Sequence, residues 1–155
     1  MHRIRIVAVG RDKDAWVRDA CNHFEKLLRK YARVEWEVVA SARGHNLSPA
    51  EAKREEAERL RKRLEGAYTV ALADTARNLD SLRFASWLER TLTQHSNRVA
   101  FVIGGPYGLD QSLVDGAGDA LSLSPLTFSH QLVRPVLLEQ LYRAFTILGG
   151  GTYHK

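Results

Sequence analysis

Short apolar runs alternate with stretches of helical spacing along the whole chain. The apolar runs cover residues 3–9, 34–40, 67–73, 98–103 and 119–123. Runs of this length, bounded by glycine or polar residues, are typical of strands buried on both faces of a sheet. Five further segments lie between or after these runs, and most of the segments repeat apolar side chains every three or four positions. This spacing predicts five helices, at residues 14–30, 49–65, 80–94, 110–117 and 133–148.

The alternation of strands and helices predicts the fold class. It favours an α/β domain, residues 1–155, with one parallel sheet and helices on both of its faces. The second helix has a clear beginning, because Ser48 is a good N-cap, Pro49 suits the first turn and Glu51 stands at the third position. Ligands of such sheets bind beyond the carboxyl ends of the strands, so the loops after the last three predicted strands are the candidate site.

Composition and charge narrow the class of protein. A length of 155 residues with 45% hydrophobic and 26% charged residues fits a globular domain with a real core. The net charge of +5 suits a polyanionic partner without requiring one. The single cysteine, Cys21, excludes an internal disulfide, and no apolar stretch approaches the roughly 18 residues of a membrane span. We therefore expect a cytoplasmic protein with no membrane partner and no signal peptide.

Two of the candidate loops have an unusual composition. The segment 104–108, Gly-Gly-Pro-Tyr-Gly, follows the fourth predicted strand, and its glycines let backbone N–H groups approach a ligand. A tight turn between strand and helix is the alternative, since the segment is neither a GxGxxG fingerprint nor a P-loop. The segment 122–127, Ser-Leu-Ser-Pro-Leu-Thr, offers backbone groups and apolar walls that suit an adenine, with an ordinary loop as the alternative.

The remaining polar segments carry weaker signals. Six histidines show no HExxH or Cys/His ligand spacing, so we expect no metal site. Residues 53–63 are dense in charge, and the pairs Glu55–Arg59 and Glu58–Lys62 predict a solvated, self-paired helix face, with an RNA surface as the alternative. Tyr153 and His154 follow three glycines at the end of the chain. Such tails are commonly disordered, but this order also suits a tail that reaches over a cofactor pocket.

These segments together resemble the RlmH family of SPOUT-class methyltransferases, which modify large-subunit ribosomal RNA. The resemblance rests on residues 6–10, 102–109, 121–134, 139–145 and the Tyr-His-Lys ending at 153–155, and the length matches over the whole chain. It implies S-adenosyl-L-methionine as methyl donor and a pseudouridine N3 of the large-subunit (23S) ribosomal RNA as the site of methylation, on the assembled ribosome. It also implies a homodimer and a C-terminal trefoil knot, one of the exceptions to the rule against threaded loops.

The resemblance implies a set of site residues as well. For the cofactor these are Leu72, Gly104, Leu123, Ser124, Pro125, Leu126, Thr127 and Phe128. Arg143, Tyr153 and His154 match positions linked to the target nucleotide and to catalysis, and His130 and Arg134 are looser candidates. The chain departs from the family pattern in the loop after Leu72, where Ala73 and Ala76 replace an acidic residue and a glycine and Asp74 is shifted by one. It departs again at Ser129, where proline is common.

The chemistry of the reaction assigns roles to three of these residues. No Ser-His-Asp, Cys-His or paired-carboxylate arrangement is evident, so the electrophile is expected to come from the cofactor. A uracil-type N3–H must lose its proton around methyl transfer, and His154 is the candidate base because histidine titrates near neutrality. Arg143 suits an anionic base or a phosphate, and Tyr153 suits stacking or hydrogen bonding. The competing classes are a non-catalytic RNA-binding module and a nucleotide-binding oxidoreductase, and the missing GxGxxG weighs against the second.

Overall fold

The computed structural model describes residues 1–42 and 46–155, and in them strands and helices alternate strictly. The elements in chain order are β1 (His2–Val9), α1 (Ala15–Leu28), β2 (Ala32–Val39), α2 (Pro49–Leu64), β3 (Tyr68–Asn78), α3 (Ser81–Gln94), β4 (Val99–Ile103), α4 (Gln111–Gly116), β5 (Asp119–Ser122) and α5 (Val133–Leu148). All ten elements were predicted from the sequence, and apart from the end of β3 their bounds agree to within two residues.

The strands form one parallel sheet in the order β2-β1-β4-β3-β5. β4 lies in the middle, and every one of its five residues is buried. Core side chains of α1, α3 and α5 pack on one face of the sheet, and those of α2 and α4 pack on the other. Because helices cover both faces, the central strands need apolar side chains on both sides, and this explains the continuous apolar runs. The predicted α/β class is confirmed.

Polar side chains begin three of the helices. Ser48 accepts a hydrogen bond from the Glu51 N–H at 3.1 Å and caps α2 as predicted. Asp80 accepts one from the Arg83 N–H at 2.8 Å and caps α3 in the same way. Asp110 accepts one from the Ser112 N–H at 3.2 Å at the start of α4. Each cap satisfies an amide that has no partner inside its helix, and so it fixes where the preceding loop ends.

β3 is five residues longer than predicted. Leu72 pairs with Leu121, and after a register shift Arg77 pairs with the same residue. Residues 73–76 therefore form an irregularity that bends the strand, and Arg77 rejoins the ladder with an ion pair to Asp119 at 2.6 Å. The sequence prediction ended at residue 73 because the polar residues that follow end the apolar run.

Two further expectations are only partly met by the described residues. Residues 41–46, between the second predicted strand and the second predicted helix, are mostly polar and predict a loop, but residues 43–45 lie outside the described part of the chain. In the charged helix the pair Glu55–Arg59 forms at 3.6 Å, but Glu56 is 4% exposed and does not belong to a solvated face.

The trefoil knot stays a prediction. No helix within the described residues is long and apolar enough to cross a membrane.

Arg134 joins the start of α5 to the end of β1. Its side chain is 1% exposed, and its two terminal nitrogens donate to the Asp12 carboxylate at 2.7 Å and to the carbonyls of Val9 and Gly10 at 3.0 and 2.5 Å. A guanidinium so enclosed fixes the start of α5 against the end of β1. This looser candidate therefore holds a structural position, and it does not line the cavity described below.

We expect Arg134→Met to lower the free energy of unfolding by about 3 kcal/mol, the cost typical of breaking a buried ion pair by removing one partner. The change leaves two carbonyls and the Asp12 carboxylate without their donor. Urea denaturation measures the loss. Asp12→Asn is the matched control. It should lower the free energy of unfolding by less than Arg134→Met does, because the guanidinium keeps both of its carbonyl partners. Equal stability of Arg134→Met and the parent protein would contradict this account.

Candidate functional site

A cavity of about 590 Å³ opens at the carboxyl ends of β3, β4 and β5. Its volume lies within the roughly 300–1,000 Å³ of small-molecule sites. Its walls are the three loops chosen from the sequence, and seven of the eight predicted cofactor-binding residues line it: Leu72, Gly104, Leu123, Ser124, Leu126, Thr127 and Phe128. Pro125 is exposed and does not belong to the lining. The structure therefore brings the predicted loops together around one space, which we call the first cavity.

The glycine loop after β4 is a tight turn and a cavity wall at once. The Gly108 N–H donates to the Gly105 carbonyl at 3.0 Å, and Gly108 has a φ of +83°, which favours glycine. A Cβ added at Gly104 would lie 2.6 Å from the carbonyl carbon of Gly108. The segment is therefore both a tight turn between strand and helix and part of a ligand-sized cavity, because the turn gives the cavity wall its shape.

Hydroxyl groups order the loop after β5. Ser122 Oγ donates to the Ser124 carbonyl at 2.6 Å, and Ser124 Oγ accepts from the Leu126 N–H at 3.0 Å. Thr127 Oγ1 donates to the Asp74 carboxylate at 2.6 Å, which ties this loop to the irregular part of β3. Asp74, which is shifted by one place from the acidic position of the family pattern, thus connects two walls of the first cavity.

Ser129 and His130 lead into α5. Ser129 Oγ accepts from the Leu132 N–H at 3.2 Å, so this departure from the family pattern supplies a hydrogen bond that proline cannot make in this way. His130 lines the first cavity. Its burial, with the positive charges of Arg134 and Lys13, lowers the pKa of His130, so its ring is neutral near pH 7.

The three predicted catalytic residues lie together beside the middle of α5, around Glu139. Arg143 donates to the Glu139 carboxylate at 2.6 and 3.1 Å, and the Tyr153 hydroxyl donates to the same oxygen at 2.9 Å. The Arg143 guanidinium lies 4.7 Å from the centre of the Tyr153 ring and 3.2 Å from Nδ1 of His154. Sequence reasoning missed Glu139, although its spacing of four residues from Arg143 on a helix was a usable signal. We call these four residues the tail cluster.

The contacts of the tail cluster restrict its protonation chemistry. Arginine only donates, so in the Arg143–His154 contact the Nδ1 of His154 must accept, and Nε2 then carries the proton of the neutral ring. Burial and the hydrogen bond to Glu139 raise the pKa of Tyr153, which stays a phenol at neutral pH. The cluster as it stands therefore presents donors, and His154 accepts a proton only once Arg143 releases Nδ1.

The tail cluster is remote from the first cavity of its own chain. None of its residues lines that cavity, whereas Val133 at the start of α5 does. Along α5, Glu139 and Arg143 lie six and ten residues beyond Val133, which corresponds to about 9 and 15 Å. The glycine segment turns the chain back, because the Gly151 N–H donates to the Thr146 carbonyl at 2.8 Å and Gly150 has a φ of +72°. The expectation that the tail covers the pocket is therefore wrong within one chain.

A second cavity of about 1050 Å³ lies beside the first, at the carboxyl ends of β1 and β2. The two cavities share Pro106, Tyr107 and His130. The second also has Glu56 in its wall, which sequence reasoning had placed on a solvated face. This cavity could not be predicted from local sequence patterns, because its prediction requires knowing that β1 lies between β2 and β4. In the described residues, no group of three or more His, Cys, Asp or Glu side chains is arranged to hold a metal ion.

Comparison with known proteins assigns the family. A family model described as predicted SPOUT methyltransferase matches residues 2–154. Three similar proteins are each named ribosomal RNA large subunit methyltransferase H. The protein from Acetivibrio thermocellus is 42% identical over 99% of both chains. The one from Pseudothermotoga lettingae is 37% identical over 98% of this chain and 99% of its own. The one from Bacteroides fragilis is 36% identical over 96% of both. Because these matches span nearly the whole chain, the protein belongs to the SPOUT methyltransferase family, in the group of ribosomal RNA large subunit methyltransferase H proteins.

Proposed function

We propose that this protein transfers a methyl group from S-adenosyl-L-methionine to N3 of a pseudouridine in large-subunit ribosomal RNA, on the assembled ribosome in the cytoplasm. The observation that carries the proposal is the first cavity at the strand ends of a chain whose residues 2–154 match the SPOUT methyltransferase family model. The names of the relatives supply the class of substrate, and the resemblance of the sequence motifs supplies the modified position.

The lining of the first cavity fits the proposed cofactor. Leu72, Ile103 and Phe128 provide apolar walls for an adenine ring, and the hydroxyls of Ser124 and Thr127 stand beside them. Asp74 brings a carboxylate to the same lining, which suits the positive charges of the ligand. When bound there, S-adenosyl-L-methionine supplies an activated methyl group. The task of the protein is then to bind, to orient and to move one proton.

The tail cluster is suited to the target base. Arg143, held by Glu139, donates to a carbonyl oxygen of the base and so favours the anion that forms when N3 loses its proton. That contact draws Arg143 away from His154, and Nδ1 of His154 becomes free to accept the proton. Tyr153, which remains a phenol, stacks on or donates to the nucleotide. Glu139 acts through the other residues, since it orients both Arg143 and Tyr153.

The separation of cavity and cluster supports a homodimer. Within one chain a base at the first cavity is out of reach of the tail cluster, and a second copy can supply the missing half. Large apolar side chains are exposed on and next to α1 and α5, which cover one face of the sheet: Trp16 of α1 is 52% exposed, Leu132 before α5 is 36% exposed and Leu148 at the end of α5 is 37% exposed. A symmetric interface over α1 and α5 would cover them and would bring the cluster of one chain to the cavity of the other.

Light scattering at micromolar concentration is expected to give twice the 17.5 kDa mass of one chain. Burial of Trp16 in the interface provides part of the driving force, so Trp16→Glu should shift the population toward monomer. The exposed Leu82→Glu on α3 is the matched control and should stay dimeric, as its side chain is 58% exposed on another helix. A monomeric parent protein would contradict the shared site.

Methyl transfer is expected to be fastest on joined ribosomes and slowest on free RNA. A net charge of +5 on a small domain supports only a few phosphate contacts, and these give weak, unspecific binding at physiological salt. Specificity must then come from a larger folded surface. Incorporation of labelled methyl groups into free RNA, isolated large subunits and joined ribosomes, at one salt concentration, tests this. Equal rates on all three would show that the protein reads the RNA alone.

A further inference from the structure

The second cavity occupies the switch point of the sheet. β1 lies between β2 and β4, so the chain leaves β1 toward one edge and leaves β4 toward the other. The crevice between the carboxyl ends of two such strands is the usual ligand site of an open parallel sheet. Val9 and Gly10 of the β1 end line it on one side, and the Pro106–Tyr107 segment after β4 lines it on the other. The first cavity lies on the other side of the Pro106–Tyr107 segment, at the carboxyl ends of β3, β4 and β5.

Glu56 in the wall of this cavity has an unused acceptor. The residue is 4% exposed, and Oε2 accepts from the Ala42 N–H at 3.0 Å, whereas Oε1 has no hydrogen-bond partner among residues 1–42 and 46–155. A Cβ added at Gly105 would lie 3.4 Å from both carboxylate oxygens, so the backbone of the glycine loop closes on this group. Burial raises the pKa of Glu56. Buried polar atoms are nearly always paired, so this residue of the cavity wall has an unused acceptor that suits a ligand donating a hydrogen bond.

Positive charge and an aromatic ring stand around the same cavity. Arg11 and Lys13 line it and are exposed, and within the described residues neither side chain has an ion-pair partner. Gln131 fixes their loop, since it accepts from the Lys13 N–H at 3.4 Å and donates to the Arg11 carbonyl at 3.2 Å. Tyr107, which is 58% exposed, stands between the two cavities. A buried acceptor, a ring and two cations at the rim are the groups that hold a base and its phosphate.

We propose that the second cavity holds one nucleotide of the RNA substrate, with its base against Tyr107, a base N–H or amino group donating to Oε1 of Glu56, and its phosphate on Arg11 and Lys13. The proposal rests on the proposed function, because it takes the substrate to be RNA. It places the RNA directly beside the methyl donor, across the wall that the two cavities share.

Steady-state methyl transfer to assembled ribosomes by the full-length protein tests the proposal. Glu56→Gln lets its amide oxygen accept from Ala42 and turns an N–H donor toward the cavity, so the KM for ribosomes is expected to rise about tenfold. The affinity for S-adenosylhomocysteine, measured by calorimetry, should not change. Arg11→Gln and Lys13→Gln should each reduce the slope of log kcat/KM against log salt by about one unit, with no change in thermal stability.

Arg90→Gln on α3 is the matched control for the loss of one exposed charge, and it should keep the salt slope of the parent protein. Tyr107→Phe should retain parent kinetics, whereas Tyr107→Ala should raise the KM. An active parent whose Glu56→Gln, Arg11→Gln and Lys13→Gln variants keep its KM and salt slope overturns the nucleotide site and leaves the proposed function standing. If the Glu56→Gln variant does not fold, the salt slopes of the Arg11→Gln and Lys13→Gln variants decide whether the nucleotide site exists, because both side chains are exposed. A parent protein that methylates no ribosome overturns the proposed function and this site with it.

Discussion

Removal of residues 153–155 is expected to lower methyl transfer by at least about a hundredfold, the usual size of a lost acid–base group, and to leave the affinity for S-adenosylhomocysteine within about twofold of the parent. The deleted side chains contact Arg143, Glu139 and Tyr142, and none of them lines the first cavity. Cofactor binding should therefore survive while the chemical step does not. Calorimetry and labelled methyl transfer to ribosomes measure the two effects separately.

Single substitutions divide this effect among the tail residues. His154→Ala removes the proposed proton acceptor and should account for most of the loss in kcat. Tyr153→Phe keeps the ring beside Arg143 and removes only the hydrogen bond to Glu139. It should therefore lower kcat far less than His154→Ala does. Glu139→Gln frees Arg143 from its ion pair and should lower kcat without changing cofactor affinity. Full activity of the truncated protein would show that the tail takes no part in the reaction.

Gly104→Val is expected to abolish detectable binding of S-adenosylhomocysteine, which the parent protein should bind while it does not bind NAD. The new Cβ would lie 2.6 Å from the Gly108 carbonyl carbon and 2.9 Å from the Leu109 nitrogen, and both are backbone atoms that cannot rotate away. The glycine loop must then shift, and it forms a wall of the first cavity. The clash is thus with the protein itself, in addition to any contact with the ligand.

Gly116→Ala at the end of α4 is the matched control, since a Cβ there meets nothing within 4 Å. It should bind S-adenosylhomocysteine like the parent protein. Thermal denaturation of both variants separates loss of the cavity from loss of the fold. Unchanged affinity in Gly104→Val would refute the assignment of the first cavity to the cofactor, and affinity for NAD in the parent would favour an oxidoreductase.

Much of this fold could be predicted from the sequence because its central strands are buried on both faces. β4 has only apolar residues, and α5 repeats its apolar side chains at helical spacing over 16 residues, so both were predictable without tertiary information. The far part of β3 was not, since Arg77 and Asn78 return to the ladder only through pairing with β5 and an ion pair to Asp119. Local patterns do not encode that pairing.

The candidate site divides in the same way. The loops of the first cavity are recognisable because glycine and serine follow apolar strands, and parallel strands bring such loops to one edge of the sheet. The second cavity depends on the strand order and on the burial of Glu56, which stands in a segment dense in charged residues. The position of the tail cluster depends on the turn at Gly150, and its distance from the first cavity could be seen only in three dimensions.

The reaction proposed for this protein is methyl transfer to N3 of a pseudouridine in large-subunit ribosomal RNA. Its most direct test incubates the parent protein with labelled S-adenosyl-L-methionine and joined ribosomes that lack this methylation, and then digests the RNA to nucleosides for mass spectrometry. We expect one labelled nucleoside, 3-methylpseudouridine, from the large-subunit RNA, and we expect it to disappear when residues 153–155 are removed. Label in another nucleoside or in the small-subunit RNA, or no label at all, would contradict it.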